Sequence, residues 1–113
     1  MHELSLAMEV IELATREAGK KGYSSICEIV IEVGDLSGVE AESFRWGLEM
    51  LAKDSILEHA EIQIIRIPGN GICSICNNEF IMQNRIDMCP DCHCLPSEIK
   101  GGQEFRLVSL VAE

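Results

Sequence analysis

Two CxxC pairs constrain the fold of this chain more than any other feature of its sequence. The first is "CSIC" at residues 73–76 and the second is "CPDC" at residues 89–92, with twelve residues between them. Two such turns on facing loops can deliver four thiolates to one tetrahedral centre. Four sulfur ligands with no open position favour structural zinc, and a single iron is the alternative. The sequence therefore predicts a metal site whose ligands are Cys73, Cys76, Cys89 and Cys92.

The segment around these cysteines has too few apolar residues to fold by burial alone. The composition changes at "PGNGIC" and changes back after Gly101 and Gly102. The apolar residues available for a core in between are Phe80, Ile81, Met82 and Ile86. A segment this small would take its stability from the metal. We expect its linking residues, "NNEFIMQNRIDM", to form a hairpin that carries one turn to the other.

Other uses of these cysteines fit the sequence less well. The first twenty residues contain several acids and no basic segment, so we expect no secretory signal and a cytoplasmic chain. Disulfides are rare in that compartment. Neither pair lies at a strand-to-helix junction, where thioredoxin-type redox pairs occur. "CPDCH" also matches the covalent haem pattern, but haem attachment requires export.

The ligand set is not unique on spacing alone. His93 or Cys94 could replace Cys92 or Cys89, although the symmetry of the two turns favours the four-cysteine set. Cys94 would then be a spare thiol, and His93 a loop residue or an outer contact. Cys27 falls in a predicted strand, where we expect a small buried apolar residue.

The periodicity outside the cysteine segment predicts two helices and several strands. A helix over residues 3–18 would bury a stripe that comprises Leu4, Ala7, Met8, Ile11, Ala14 and Ala18. Ile29, Ile31 and Val33 alternate with wetter positions, as in a strand. A second helix over residues 40–54 would start at a capping box of Ser37 and Glu40. Its inward residues would be Phe44, Leu48, Leu51 and Ala52.

The tail returns to strand chemistry, with Phe105, Leu107 and Val111 in alternation. Because a lone strand is unstable in water, residues 103–112 should pair with the earlier strands. The predicted fold is therefore α+β: a small sheet of about three strands packed with two helices, plus an inserted four-cysteine zinc-ribbon-like domain. The expected α/β domain comprises residues 1–68 and 102–113, and the expected zinc domain comprises residues 69–101.

The charge of the chain argues against nucleic acid as a partner. Nine Lys and Arg stand against nineteen Asp and Glu, a formal net charge of −10. Phosphate backbones are bound through clustered basic residues, and none cluster here. No apolar run approaches the ~18 residues that a membrane-spanning helix needs. We therefore expect neither nucleic acid nor membrane as a partner, whereas cations or basic proteins are compatible with this charge.

The opening "MHE" places nitrogen donors within chelating reach of one another. The amine of Met1, the peptide nitrogens and the imidazole of His2 form chelate rings that favour square-planar Ni(II) or Cu(II). The first N–H groups of a helix also lack intrahelical partners. Spacing alone leaves open that His2 binds nothing and that Glu3 complements the helix dipole.

Taken together, three motifs resemble the hydrogenase nickel-incorporation proteins, the HypA/HybF family. They are "MHELSLAMEVIELA" at the start, "IVIEVGDLSGVE" in the first strand and loop, and CxxC-x12-CxxC. The resemblance covers essentially the whole chain. It implies a metallochaperone that helps to deliver nickel to the [NiFe] hydrogenase large-subunit precursor, working with a nickel-insertion GTPase, and in some members to urease.

The resemblance also assigns the metal sites. His2 matches the essential nickel ligand of the family, and the amine of Met1 and the backbone of Glu3 would complete that site. Zinc would be held by the four cysteines of the CxxC pairs. An enzyme is not expected, since no nucleophile–base pair or phosphate-binding glycine loop is recognisable. The alternatives are a zinc-ribbon adaptor that transports no metal and a thiol oxidoreductase that uses one CxxC pair.

Overall fold

The computed structural model describes residues 2–113, and of His2 it describes the backbone alone. In chain order the elements are α1 (His2–Lys20), β1 (Ile26–Gly34), α2 (Ala41–Ala52), β2 (Glu61–Ile67), β3 (Gly69–Cys73), β4 (Glu79–Met82), β5 (Pro96–Lys100) and β6 (Phe105–Ala112). The strands form two three-stranded sheets, with the orders β2-β1-β6 and β4-β3-β5. The α+β prediction with a small sheet, two helices and a four-cysteine segment is confirmed.

Helix α1 buries a narrower stripe than its periodicity predicts. Ala7, Val10, Ala14 and Ala18 are buried, whereas the predicted inward residues Leu4 and Met8 are 43% and 51% exposed. Small residues at the centre of the stripe allow a close approach between helices. In keeping with this, a Cβ added at Gly47 of α2 would lie 3.3 Å from Leu4 Cδ1. Leu4 therefore lies against Gly47 of α2 while part of its side chain stays exposed.

Helix α2 begins differently from the prediction. Its N-cap is Glu40, whose side chain accepts a hydrogen bond from the Ser43 N–H at 2.7 Å. Ser37 instead donates its N–H to the Gly34 carbonyl at 3.0 Å, in the turn before the helix. The predicted capping box of Ser37 and Glu40 is wrong, because Ser37 lies three residues before the N-cap.

The interior face of α2 agrees closely with its sequence pattern. Phe44, Leu48 and Ala52 are buried, and Leu51 is half-buried. The helix ends at Ala52, two residues earlier than predicted, because Lys53 adopts an extended conformation with ψ 138°. A single extended residue is enough to stop the i to i−4 hydrogen-bond ladder.

Strand β1 occupies the centre of the first sheet, and Ile29, Ile31 and Val33 are buried as predicted. The C-terminal strand β6 lies beside it, so the predicted pairing of the tail with an earlier strand is confirmed. The expected alternation in β6 holds for only half its length. Two consecutive exposed residues, Val108 and Ser109, follow Leu107, and the next half-buried residue is Leu110. Val111 is therefore 51% exposed.

The cysteine segment forms the second sheet, in which β3 is central. Strand β4 pairs antiparallel with β3, with Gly71 opposite Phe80. Strand β5 pairs antiparallel with the other edge of β3, with Gly71 opposite Ile99. The predicted hairpin within residues 77–88 is therefore wrong: only β4 is extended there, and its partner is β3. The strand β5 was not predicted.

The chain divides into two compact units. The helical unit comprises Met1–Glu32, Val39–Ile65 and Arg106–Glu113, and the cysteine unit comprises Val33–Gly38 and Arg66–Phe105. The boundaries expected from the sequence, at 68/69 and 101/102, stay a prediction. The helical unit contains both helices, and the cysteine unit contains the β4-β3-β5 sheet and both CxxC pairs.

Leu36, which the sequence reading placed in a loop, lies in the core of the cysteine unit. The buried cluster comprises Leu36, Cys73, Phe80, Met82 and Cys89. The backbone N–H of Leu36 donates a hydrogen bond to the Gly102 carbonyl at 2.6 Å. Gly102 has φ +82°, and a Cβ there would lie 2.5 Å from Gly69 Cα. Only glycine fits this close approach and this left-handed conformation.

Within residues 2–113, neither α1 nor α2 is long and apolar enough to cross a membrane.

Candidate metal centre

The first CxxC turn follows strand β3 directly. Cys73 is the last residue of that strand, and the chain then folds back so that the Cys73 N–H donates to the Asn78 carbonyl at 2.9 Å. Asn77 closes the turn in the left-handed region, with φ +58°, and donates its N–H to the Cys73 carbonyl at 3.1 Å. The Ile75 N–H faces the Cys73 sulfur at 3.4 Å. The turn thus aims backbone donors at a thiolate.

The second CxxC turn repeats the same backbone pattern sixteen residues later. The Cys89 N–H donates to the Cys94 carbonyl at 3.0 Å, and the His93 N–H donates to the Cys89 carbonyl at 2.8 Å. His93 has φ +58°, the same left-handed conformation as Asn77. Asn and His are among the residues that tolerate this region best. The two turns are therefore equivalent in backbone geometry, and His93 is the turn-closing residue of the second.

The two turns bring four sulfur atoms together. The ligand atoms of Cys73, Cys76, Cys89 and Cys92 all lie within 4.8 Å of one another. The sulfurs of Cys76 and Cys89 are 3.8 Å apart. A tetrahedral zinc ion with Zn–S bonds of about 2.3 Å requires its sulfurs to lie roughly 3.8 Å apart. The donor set and its spacing fit a zinc ion.

Burial differs within this group of four. Cys73 and Cys89, the first cysteine of each pair, are buried, whereas Cys92 is half-buried and Cys76 is exposed. Each turn thus contributes one sulfur from the core of the cysteine unit and one from nearer its surface. Such a site is closed on its inner side by Phe80 and Met82 of strand β4.

Backbone donors and neighbouring sulfurs shift the pKa values of Cys73 and Cys92 in opposite directions. Backbone N–H groups of Cys76 and Ile75 lower the pKa of Cys73 to about 7. The hydrogen bond with Cys76, together with burial, raises the pKa of Cys92 to about 12. A divalent cation would lower the pKa of every coordinating thiol, because it stabilises all four thiolates at once. The site therefore has one sulfur prepared for ionisation by its turn and another that needs the cation.

The remaining chemistry-bearing residues lie outside this group. The Cys94 thiol donates to the Cys92 carbonyl at 3.5 Å. Cys27 is half-buried rather than buried, and a side-chain hydrogen bond with Glu113, followed by burial, raises its pKa. His59, which is 92% exposed, pairs with Glu58 at 3.3 Å on the surface.

The predicted nickel ligands at the chain start fall at the edge of the described residues. Met1 and the side chain of His2 lie outside them. The backbone of His2 begins α1, so its N–H belongs to the first helical turn. The carboxylate of Glu3 accepts the Glu40 N–H at 3.2 Å. Glu3 thus ties the start of α1 to the N-cap of α2.

Comparison with known proteins identifies the family. A family model described as "Hydrogenase/urease nickel incorporation, metallochaperone, hypA" matches residues 1–112. The hydrogenase maturation factor HypA of Parabacteroides distasonis is 39% identical over 111 residues, which cover 98% of this chain and 96% of that protein. The HypA of Geobacter metallireducens is 34% identical over 113 residues and covers both chains completely. The chain belongs to the HypA family.

Solved structures of HypA proteins share its fold. The solution structure of the Ni metallochaperone HypA from Helicobacter pylori has a TM-score of 0.65 at 25% identity, over 97% of this chain and 96% of that one. A second HypA solution structure has a TM-score of 0.66 at 27% identity, over 100% and 97%. HypA proteins are nickel-incorporation metallochaperones for hydrogenase or urease, and this chain is a member of that family.

Three residues of this candidate metal centre were not predicted from the sequence: Leu36, Asn77 and Asn78. The contact of Leu36 with the cysteines could not be predicted, because Leu36 lies far from them in the chain and follows a strand as an isolated apolar residue. A signal for Asn77 was available, because it directly follows a CxxC pair and Asn tolerates left-handed turns. His93, which was predicted as a loop residue or an outer contact, occupies the same place in the second turn. Asn78 carried no signal, because its contacts depend on how the two turns face each other.

Proposed function

We propose that this protein is a nickel carrier that binds Ni(II) at its N-terminus and helps to deliver it to the [NiFe] hydrogenase large-subunit precursor, with urease as a further client. The observation that carries the proposal is membership of the nickel-incorporation family over residues 1–112. A nickel-insertion GTPase is the proposed partner, because the chain itself offers no phosphate-binding glycine loop. Delivery takes place in the cytoplasm.

In this proposal, zinc is the resident metal and nickel is the cargo. Cys73, Cys76, Cys89 and Cys92 hold zinc, supported by the mutual distances of their sulfurs. With four thiolate ligands the zinc keeps no open position and is structural. It supplies folding free energy to the cysteine unit rather than reactivity. The chain carries out no catalytic reaction of its own.

The proposed nickel ligands are the amine of Met1, the peptide nitrogens of His2 and Glu3, and the imidazole of His2. Peptide nitrogens in the first turn of a helix can bind a metal without breaking an intrahelical hydrogen bond. The side chain of Glu3 supports this arrangement, since its contact with the Glu40 N–H anchors the first turn of α1. Few, protonatable ligands favour a carrier: acidification returns protons to the amine and imidazole and releases nickel.

The N-terminal site is tested by moving the amine while keeping every side chain. One glycine is added before Met1, and His2→Ala is made separately, both without a tag. Calorimetry should then show loss of the nickel event in both variants, while zinc content stays at one per chain. Unchanged nickel affinity and stoichiometry in both variants would exclude the N-terminal site. Cys73→Ser is the complementary control, expected to lose zinc.

A second function, a zinc-ribbon adaptor that transports no metal, is favoured by one observation. Three large apolar residues beside the CxxC turns are exposed: Ile75 at 69%, Ile86 at 79% and Leu95 at 59%. Exposed apolar side chains of this size are typical of protein-contact surfaces. Native mass spectrometry with added nickel separates the two functions. A carrier gives a chain with one zinc and one nickel, whereas an adaptor gives only the zinc-bound mass.

A further inference from the structure

One residue outside the ligand set connects both CxxC turns. The Asn78 carbonyl accepts the Cys73 N–H at 2.9 Å, and its backbone N–H hydrogen-bonds the Cys76 sulfur. Its side-chain amide reaches across to the second turn, 3.9 Å from the Cys89 sulfur and 3.3 Å from Asp91 Oδ2. Asn78 therefore contacts three of the four cysteines, two through its backbone and one through its side chain.

The backbone equivalent of Asn78 in the second turn does not do this. Cys94 lies sixteen residues later, and its carbonyl accepts the Cys89 N–H, as the Asn78 carbonyl accepts the Cys73 N–H. Its side chain, however, turns back and donates to the Cys92 carbonyl within its own turn. The two turns thus share a backbone pattern, but the Asn78 side chain reaches the other turn, whereas the Cys94 side chain bonds within its own.

The geometry of the amide gives this contact a specific chemistry. An asparagine amide has two N–H donors in a plane, so one can face the Cys89 sulfur while the other faces the Asp91 carboxylate. The exposed Asp91 fixes the orientation of the half-buried amide. Donation to a thiolate is a charge-assisted hydrogen bond, which is stronger than a neutral one. Groups that donate to metal ligands hold those ligands in the geometry the metal needs.

We propose that Asn78 is a positioning residue of the zinc site: its side-chain amide joins the two CxxC turns, orients the Cys89 thiolate and slows the loss of zinc. This role extends the zinc assignment of the proposed function and rests on it. It concerns retention of the resident metal and is independent of the nickel ligands at Met1 and His2. Asn78→Ala removes both side-chain contacts and leaves its backbone contacts in place.

The test compares Asn78→Ala, Asn78→Asp and Cys94→Ala with the wild type, as full-length, zinc-loaded chains under reducing conditions. The rate of zinc transfer to an excess of a chromophoric chelator is measured. Asn78→Ala should release zinc on the order of tenfold faster, the low end of the effect known for groups behind metal ligands. Cys94→Ala should release zinc at the wild-type rate, because the Cys94 thiol donates its hydrogen bond to a backbone carbonyl of its own turn rather than to a ligand sulfur.

Asn78→Asp separates hydrogen bonding from packing. The aspartate has the size of asparagine but places a carboxylate, which cannot donate, beside the Cys89 thiolate and Asp91. Zinc release should therefore be at least as fast as in Asn78→Ala. A merely space-filling role for Asn78 predicts that Asn78→Asp, which keeps the side-chain volume, releases zinc more slowly than Asn78→Ala. This variant also keeps the proposal testable if Asn78→Ala fails to fold.

Replacement of zinc by cobalt gives an absorption spectrum that would not change if Asn78 only filled space. A hydrogen bond lowers the energy of thiolate electrons, so its removal should shift the sulfur-to-cobalt charge-transfer band to longer wavelength in both Asn78 variants and not in Cys94→Ala. Wild-type release rates and band positions in the Asn78 variants would overturn the proposal, as would equal acceleration in Cys94→Ala. If the wild-type chain itself retains no zinc at the four cysteines, the zinc assignment is wrong as well, which distinguishes the two failures.

Discussion

The helical unit and the cysteine unit differ in what fills their interiors. In the helical unit Phe44, Leu48 and Ile29 are fully buried among other apolar side chains. In the cysteine unit the buried cluster has five members, and two of them, Cys73 and Cys89, are metal-ligand candidates. Burial of apolar surface can stabilise the first unit without a ligand, whereas the second places sulfur donors where a larger domain would have aliphatic side chains.

Removal of zinc should give the largest difference between the two units, because it should unfold the cysteine unit and leave the helical unit folded. Structural zinc contributes on the order of 10 kcal/mol of folding free energy, far more than the small core of the cysteine unit. A chelator under reducing conditions should therefore abolish amide-exchange protection in β3, β4 and β5. Protection in α1 and α2 should remain. Cys89→Ser should have the same effect, with Cys94→Ser as the control that keeps zinc.

Two results of that experiment would contradict the comparison. Loss of protection in both units together would mean that the helical unit has no independent core. Full protection of β3–β5 without zinc would mean that Leu36, Phe80 and Met82 suffice to hold the cysteine unit.

Phe44→Ala should destabilise the helical unit and leave the zinc site of the cysteine unit intact. Phe44 is fully buried in α2, and truncation of a buried phenylalanine costs about 3–5 kcal/mol. The midpoint of urea unfolding, followed by helical circular dichroism, should fall, while zinc content stays at one per chain. Trp46→Ala is the matched control on the same helix: Trp46 is 65% exposed, so its loss should change stability by less than about 0.5 kcal/mol. Equal effects of the two substitutions would refute the assigned interior face.

Leu36→Ala should weaken the cysteine unit through its core rather than through a ligand. Leu36 is 1% exposed and packs with Cys73 and Cys89. A buried Leu→Ala change costs about 2–5 kcal/mol. Because folding of this unit and zinc binding are coupled, even the lower value corresponds to roughly thirtyfold weaker apparent zinc affinity. Competition with a chelator of known affinity measures it, and Leu95→Ala, at a 59% exposed position, should leave the affinity unchanged.

Local patterns in the sequence predicted most of the helical unit because its elements are regular. The apolar period of α2 and the alternation in β1 each extend over several residues, and the buried faces follow them. The errors concern positions that packing decides. Leu4 and Met8 satisfy the helical period but remain 43% and 51% exposed, although Leu4 Cδ1 lies against Gly47 of the facing helix.

The cysteine unit was predictable in its chemistry but not in its architecture. CxxC spacing predicts four converging sulfurs whatever the connecting strands do. The strand partners were missed because β4 and β5 are four and five residues long and too short for a clear period. The contribution of Leu36 required a contact between segments about forty residues apart in the chain, which no local pattern reports.

The smallest expected effect is a change in the alkylation rate of Cys27, a thiol of the helical unit that can be compared with the thiols of the cysteine unit. A hydrogen bond with Glu113, aided by burial, raises the pKa of Cys27 above its ordinary value of 9.0. The folded state thus holds this proton more tightly, so its contribution to stability is present below pH 9 and is lost as the pH rises through the folded pKa. Since the thiolate is the reactive form, Cys27 should react slowly with iodoacetamide at pH 8.5.

Glu113→Gln isolates the cause of that protection. The substitution removes the negative charge and leaves a neutral amide, which accepts a weaker hydrogen bond than a carboxylate, so the pKa of Cys27 should fall. Alkylation, followed by mass spectrometry on the zinc-loaded chain, should therefore become faster. Glu58→Gln is the matched control, because Glu58 lines the same cavity without being a cause of the Cys27 shift. If both substitutions accelerate the reaction equally, a general field of acidic groups protects the thiol. If only Glu113→Gln does so, the helical unit keeps Cys27 protonated by one specific contact, whereas a cation keeps the four clustered cysteines ionised.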